Sequence, residues 1–261
     1  MSELHMPDSQ VGTIGSRAFA LGDSPEAIAE AAPASWERPR NSAANPSTAH
    51  LLGPRRLFRY RVVKRALDIL LILAISPLLL LMIGLIAAAV RLSSEGPIFF
   101  SHRRIQRHGA FFTMWKFRTM CVNSSEVLEA YLAADPAARV EWRRTHKLKS
   151  DPRVTRVGEF LRRTSLDELP QFWNVLTGTM SLVGPRPIVA AEVEKYGEYF
   201  ADYCLVKPGI TGLWQVSGRS SCTYGQRVQL DREYARTWSL RADIVILFKT
   251  LSAVFNQDGA Y

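Results

Sequence analysis

Between Ile69 and Val90 the chain carries 22 consecutive residues without a charge, built mainly of Leu, Ile, Ala, Val and Met. As a helix this run is about 33 Å long, enough to cross the ~30 Å apolar layer of a bilayer. A soluble domain has little use for a helix that is apolar on every side, so the run places the chain at a membrane. Two features complicate a simple crossing. Pro77 removes a backbone donor and bends a helix, and the hydroxyl of Ser76 can take up a freed group. Basic residues also flank both ends, with Arg55, Arg56, Arg59, Arg61, Lys64 and Arg65 before the run and Arg91, Arg103, Arg104 and Arg107 after it. Positive flanks favour the cytoplasmic side, so both ends prefer the same face. Two readings stay open on this physics: a re-entrant helix that turns back at Ser76-Pro77, or a kinked helix that spans. Asp68, at the mouth of the run, is expected to pair with Lys64 or Arg65.

Charge sharpens the question of partners. The net charge is +9, yet residues 1–50 hold three basic and six acidic residues, leaving thirty against eighteen in the remainder. The basic part seeks an anion, and nucleic acid, anionic lipid and phosphorylated substrates all qualify. Residues 1 to about 50 are rich in Ser, Ala, Pro and Asn and read as a disordered tail with a short helix near Pro25 to Ala32; no basic and then apolar leader starts the chain. Cys121, Cys204 and Cys222 are far apart, and no Cys/His spacing suits zinc.

Beyond the apolar run, Ile98-Phe99-Phe100 and Phe111 to Phe117 read as strands joined by a turn at Arg107-His108-Gly109. Arg103, Arg104, Lys116 and Arg118 decorate this hairpin, either as a plain solvated face or as a surface for phosphates or headgroups. Asn123 to His146 is helical with an interruption at Asp135-Pro136, and the closing helix carries Ile244, Leu247, Phe248, Leu251 and Phe255 at helical spacing, a pattern that favours core packing.

The centre of the chain is Arg162-Arg163-Thr164-Ser165-Leu166-Asp167-Glu168-Leu169-Pro170-Gln171. Ser165-x-x-Glu168 fits a capping box, with the helix starting near Ser165 to Asp167 and Pro170 in its first turn. The same carboxylates beside two arginines suit attack on phosphorus or the holding of a metal ion. Both readings are kept here. Arg186 stands between two prolines in Gly184-Pro185-Arg186-Pro187, a stiff setting that suits bidentate phosphate binding. Lys207 to Arg219 is glycine-rich and allows close backbone approach to a ligand, but it matches neither a Walker A loop nor G-x-G-x-x-G.

Taken together, Lys64-Arg65-x-x-Asp68, Ser76-Pro77, Gly96-Pro97, Lys116-Phe117-Arg118-Thr119-Met120, Asp151-Pro152-Arg153, Arg162-x-x-Ser165 through Gln171, Gly184 to Pro187 and Pro208 to Gly212 occur in the order of a known family. Over about residues 58–261 the chain resembles the bacterial sugar transferase family, the monotopic polyprenyl-phosphate glycosyl-1-phosphate transferases. The resemblance implies a helix-rich α+β fold: a disordered tail (1–54), a basic flank and re-entrant helix broken at Ser76-Pro77 (55–95), and a small cytosolic catalytic domain with a β-hairpin (96–261). It implies transfer of a sugar-1-phosphate from a UDP-sugar to undecaprenyl phosphate with release of UMP, at the cytosolic face of the bacterial inner membrane. It further implies Asp167 as nucleophile forming a covalent aspartyl phosphosugar, Glu168 beside it, and magnesium held by the pair.

Arg162 and Arg186, with Lys116, Arg118 and Arg219, are the candidates for holding phosphates, and Lys64, Arg65 and Asp68 for the membrane interface. Trp238-Ser239, Asp243 and Gly259-Ala260-Tyr261 resemble members that start exopolysaccharide or O-antigen assembly with galactose or glucose phosphate. The short segment before the core suggests a minimal form. Expected partners are inner-membrane lipid and downstream glycosyltransferases, with a homodimer left open and no nucleic acid. The rival readings are a non-catalytic basic membrane adaptor or nucleic-acid binder, and a phosphohydrolase that transfers to water.

Overall fold

The computed structural model describes residues 54–145, 147–218 and 222–255. The expected tail, Arg219 and Gly259-Ala260-Tyr261 lie outside the described residues. The first element, α1, is one helix from Pro54–Ser93, so the basic flank forms its opening turns. Asp68, Ile72, Leu79 and Val90 are buried on it, at spacings that share one helical face. Leu70, Leu73, Leu78, Leu80, Leu81 and Leu85 are exposed. A soluble core helix would cover that surface; a bilayer is the solvent in which it is at home.

Both ends of α1 are bonded to one body. Lys64 meets Asp243 at 2.6 Å, and Arg65 donates to the carbonyls of Val175 and Leu176. Past the other end, Arg118 donates to the Ser94 carbonyl at 2.8 Å. A spanning helix would part its ends by the thickness of the membrane, so these ties decide for a monotopic element. The expected break at Ser76-Pro77 is confined to one hydrogen bond. Pro77 has no N–H to give the Leu73 carbonyl, and the Ser76 hydroxyl donates to that carbonyl at 2.8 Å, so helix continues on both sides.

The hairpin forms as read, from β1 (Phe99–Ile105) and β2 (Phe111–Phe117) with a tight turn in which His108 and Gly109 have positive φ. Phe100 faces Lys116, His102 faces Met114 and Arg104 faces Phe112, so all six share one side of the ladder. Arg103 points to the other side, over the Phe111 ring. Helices α2 (Ser124–Ala134) and α3 (Pro136–Thr145) divide at Asp135, whose carboxylate accepts from the Ala137 and Ala138 N–H groups.

Next come α4 (Arg156–Thr164), α5 (Gln171–Thr177) and β3 (Ser181–Val183), which pairs in parallel with β4 (Gly209–Thr211). The sequence reading missed this second pair, whose three-residue strands are too short to show a period. It also corrects the reading of the glycines. A Cβ on Gly209 would lie 2.1 Å from the Gly184 nitrogen, and one on Gly212 would lie 2.1 Å from the Gly184 oxygen. These glycines let two chain segments approach each other, and Gly209 also lines the cleft described below.

The end of the chain supplies α6 (Tyr224–Thr237) and α7 (Leu240–Phe255). Ile72 and Leu79 of α1 share one core with Phe112, Met114, Val175, Met180, Leu182, Tyr234 and Ile246. Core packing accounts for only part of the α7 stripe, of which Leu247 packs on this core. Ile246 and Asp243 are buried, whereas Ile244, Phe248 and Leu251 face outward. The polar contacts of Asp243 with Lys64 and Tyr234 set which side of α7 turns inward.

Candidate active site

The acidic pair lies between two helices. Ser165, with φ 57°, closes α4 in the left-handed conformation, and Leu166–Glu168 is a single 3₁₀ turn ahead of Pro170 and α5. The capping box is therefore overturned: Ser165 closes α4 and opens only the single 3₁₀ turn, and its side chain makes no capping hydrogen bond. The Glu168 side chain reaches Lys116 on β2, not back to its own turn. Proline tolerates only the start of a helix, so α5 begins after Pro170 and the carboxylates are left in the tight connection.

Lys116 Nζ lies 2.7 Å from Glu168 Oε1 and 3.1 Å from Asp167 Oδ2. Asp167 is only 8% exposed, and this burial pushes its carboxyl above the usual aspartate range, helped by Glu168 and opposed by Lys116 and Arg162. Burial alone would raise Glu168 as well, but Lys116 and then Arg186 outweigh it and hold that carboxyl below the ordinary range. The adjacent acids are thereby made unlike. Such divergence is usual where two carboxylates have different tasks.

The cations fall into two groups. Arg162 acts on Asp167, and its Nε donates to Thr119 Oγ1 at 2.9 Å. Arg186 and Arg104 act on Glu168. They line a small cleft together with Glu168, Gln171, Gln215 and the backbone of Gly209. Asn174 of α5, buried, accepts from the Trp115 N–H and donates to the Thr113 carbonyl, locking the acidic turn against the strand that carries Lys116.

The pattern of the bacterial sugar transferases matches residues 59–257, which takes in every element described from the last turns of the basic flank to α7. The chain belongs to the bacterial sugar transferase family. It is 51% identical over 205 residues to the undecaprenyl-phosphate galactose phosphotransferase of Salmonella typhimurium, covering 77% of this chain and 42% of that protein. It is 48% identical over 204 residues to the exopolysaccharide production protein ExoY of Sinorhizobium fredii, covering 77% of this chain and 88% of that one. Against the UDP-glucose:undecaprenyl-phosphate glucose-1-phosphate transferase of Escherichia coli it is 44% identical over 213 residues, 77% of this chain and 42% of that protein. The chain thus spans less than half the length of two of these relatives.

In this member of the family the acidic pair, Lys116, Arg162 and Arg186 come together as the motifs suggested. Arg118 does not join them. It is buried and donates to the carbonyl and hydroxyl of Ser94, tying down the chain just after α1. Lys64, Arg65 and Asp68 make their polar contacts with the body of the protein. Asp68 accepts from Ser181 Oγ at 2.8 Å and from the Leu182 N–H, while the expected partner Lys64 acts on it only through its charge.

Asn174 went unnoticed in the sequence, while Arg104 was read only as one of the hairpin's basic residues and Gln171 only as the end of a motif. Counting residues outward from the Arg107-His108-Gly109 turn would have put Arg104 and Lys116 on one face. No such count reaches Asn174, whose role depends on where α5 lands. Among the described residues no hydrogen bond reaches Asp167 Oδ1 or Glu168 Oε2, and no third acidic, histidine or cysteine side chain joins the pair. Two hard oxygen donors with room for more oxygen ligands fit magnesium, which commonly takes one or two carboxylates and completes its shell with substrate phosphates and water.

Proposed function

We propose that the chain transfers a hexose-1-phosphate, galactose or glucose, from a UDP-sugar to undecaprenyl phosphate and releases UMP, as a first membrane step of exopolysaccharide assembly. The observation that carries this reading is the Lys116-clamped Asp167-Glu168 pair, flanked by arginines and built onto a helix with a bare apolar face. The names of the relatives supply the donor and acceptor. A polyprenyl acceptor needs a membrane, and a nucleotide-sugar donor supports a site at the cytosolic face of the inner membrane.

In the first half-reaction the Asp167 carboxylate attacks the sugar-bearing phosphorus. The bond from that phosphorus to the UMP oxygen breaks, UMP departs with the electron pair, and an aspartyl phosphosugar remains. An oxygen of undecaprenyl phosphate then attacks the same phosphorus and frees Asp167. Lys116 orients the pair and Arg162 favours its ionised state, while the cleft beside Glu168 takes up negative charge. Magnesium, held by Asp167 and Glu168, would supply neutralisation of the diphosphate charge.

The test is UMP release by detergent-extracted protein, with magnesium, from a panel of UDP-sugars with and without undecaprenyl phosphate. Lipid-dependent release with galactose or glucose donors is the expected result. Release indifferent to the lipid would point to a phosphohydrolase, and no release from folded protein would leave a non-catalytic membrane adaptor.

A further inference from the structure

Arg104 sits beside Glu168 without being spent on it. Its Nη1 is 3.4 Å from the Pro187 carbonyl and 3.7 Å from Glu192 Oε2, both long contacts. Glu192 already has closer donors in the Val189 N–H at 3.0 Å, the Tyr224 hydroxyl at 3.2 Å and Arg227 at 3.3 Å. Arg104 Nε is buried and has no partner among the described residues. Arg186 lines the same cleft, lies 6.0 Å from the Trp214 ring centroid, and forms no ion pair within 4.0 Å among the described residues. Two guanidinium groups thus share a narrow, half-buried space with one carboxylate, Glu168, which Lys116 already occupies. Like charges in such a space repel one another unless an anion lies between them. Burial and then Arg186 hold Arg104 down to about 10, in keeping with that repulsion.

We propose that Arg104 is a phosphate-binding residue, paired with Arg186 across the cleft to hold the phosphate of the departing nucleotide. The assignment to that phosphate follows from the division of the cations. Arg162 serves the Asp167 side, where phosphorus is attacked, so the Arg104–Arg186 side faces the group that leaves. Gln171 and Gln215 line the cleft as neutral groups and add no competing charge. Naming the anion as a nucleotide rests on the proposed function; the existence of an anion site at Arg104 does not.

The experiment titrates protein in detergent with UMP, inorganic pyrophosphate and uridine by calorimetry. Wild type is compared with Arg104→Gln, Arg104→Lys and Arg103→Gln, the last on the opposite side of the same strand. Losing a charge-assisted pair should weaken UMP and pyrophosphate about ten- to a hundredfold in Arg104→Gln, with uridine and Arg103→Gln unchanged. Arg104→Lys keeps the charge and loses the fork, so it should fall between. Pyrophosphate binding that depends on Arg104, in a protein that ignores UMP, would sustain the anion site and sink the nucleotide reading. Unaltered binding of both anions by a folded Arg104→Gln variant would overturn the proposal, as would wild-type protein that binds neither. Should Arg104→Gln not fold, wild-type affinities in Arg104→Lys would overturn it equally.

Discussion

Asn174 accepts a hydrogen bond from the Trp115 N–H at 3.1 Å, a helix side chain completing the open edge of a strand. The neighbouring residue on that strand is Lys116, so this bond sets the height of the ammonium group over the acidic pair. Asn174→Ala should cost about 2–3 kcal/mol, because the Trp115 N–H and the Thr113 carbonyl are left without their partner. Turnover should fall further than the loss of folded protein explains. Thermal unfolding and UMP release on the same sample would separate the two effects, and full activity at lowered stability would refute the positioning role.

Asp167→Asn keeps the shape of the side chain and removes the proposed nucleophile. Transfer should drop by at least about a thousandfold while the protein still extracts with membranes. Near-normal turnover in that variant would mean that another group attacks phosphorus.

The raised carboxyl of Asp167 has a direct consequence for pH. In the proposed mechanism the attacking form is the carboxylate, so activity should fail on acidification at a higher pH than an ordinary aspartate would give. Lys116 favours the ionised form; replacing it with Met removes that help and should move the acid limb of kcat/KM further upward. A downward shift would show that another group sets the limb.

Asp243 is 2% exposed and receives Lys64, Tyr60 and Tyr234. Lys64→Met leaves a buried carboxylate with hydroxyl partners alone, at a cost of roughly 3 kcal/mol. The melting temperature in detergent should fall, and Lys64→Met combined with Asp243→Asn should recover part of the loss. No recovery would show that the two residues act separately.

Pro77→Leu restores a donor for the Leu73 carbonyl and relieves Ser76 of that role. Because Lys64 and Arg65 near one end and Ser94 past the other are tied to the same body, both flanks of α1 should stay accessible from one face. Cysteine labelling from each side of inverted vesicles reads this directly. Flanks found on opposite faces would show that the proline, and not the docking, keeps the helix monotopic.

Much of this was legible in the chain itself, wherever the cause is local. The 22-residue uncharged run requires an apolar environment whatever its neighbours do. The hairpin follows from its aromatic strands and the Arg107-His108-Gly109 turn, and the ordered motifs point to one family. What the sequence left open depended on contacts between distant segments. Ser165-x-x-Glu168 carries the letters of a capping box, yet Glu168 bonds 52 positions away to Lys116, a choice no local pattern encodes. Arg118 looked like a phosphate ligand until the end of α1 came within its reach, and Asp68 found its partners in Ser181 and Leu182. Kinked helices and basic flanks suit both a spanning and a re-entrant element. The docking of both ends of α1 on one body resolves the choice, because only tertiary packing decides which charges are buried together and which remain free for a substrate.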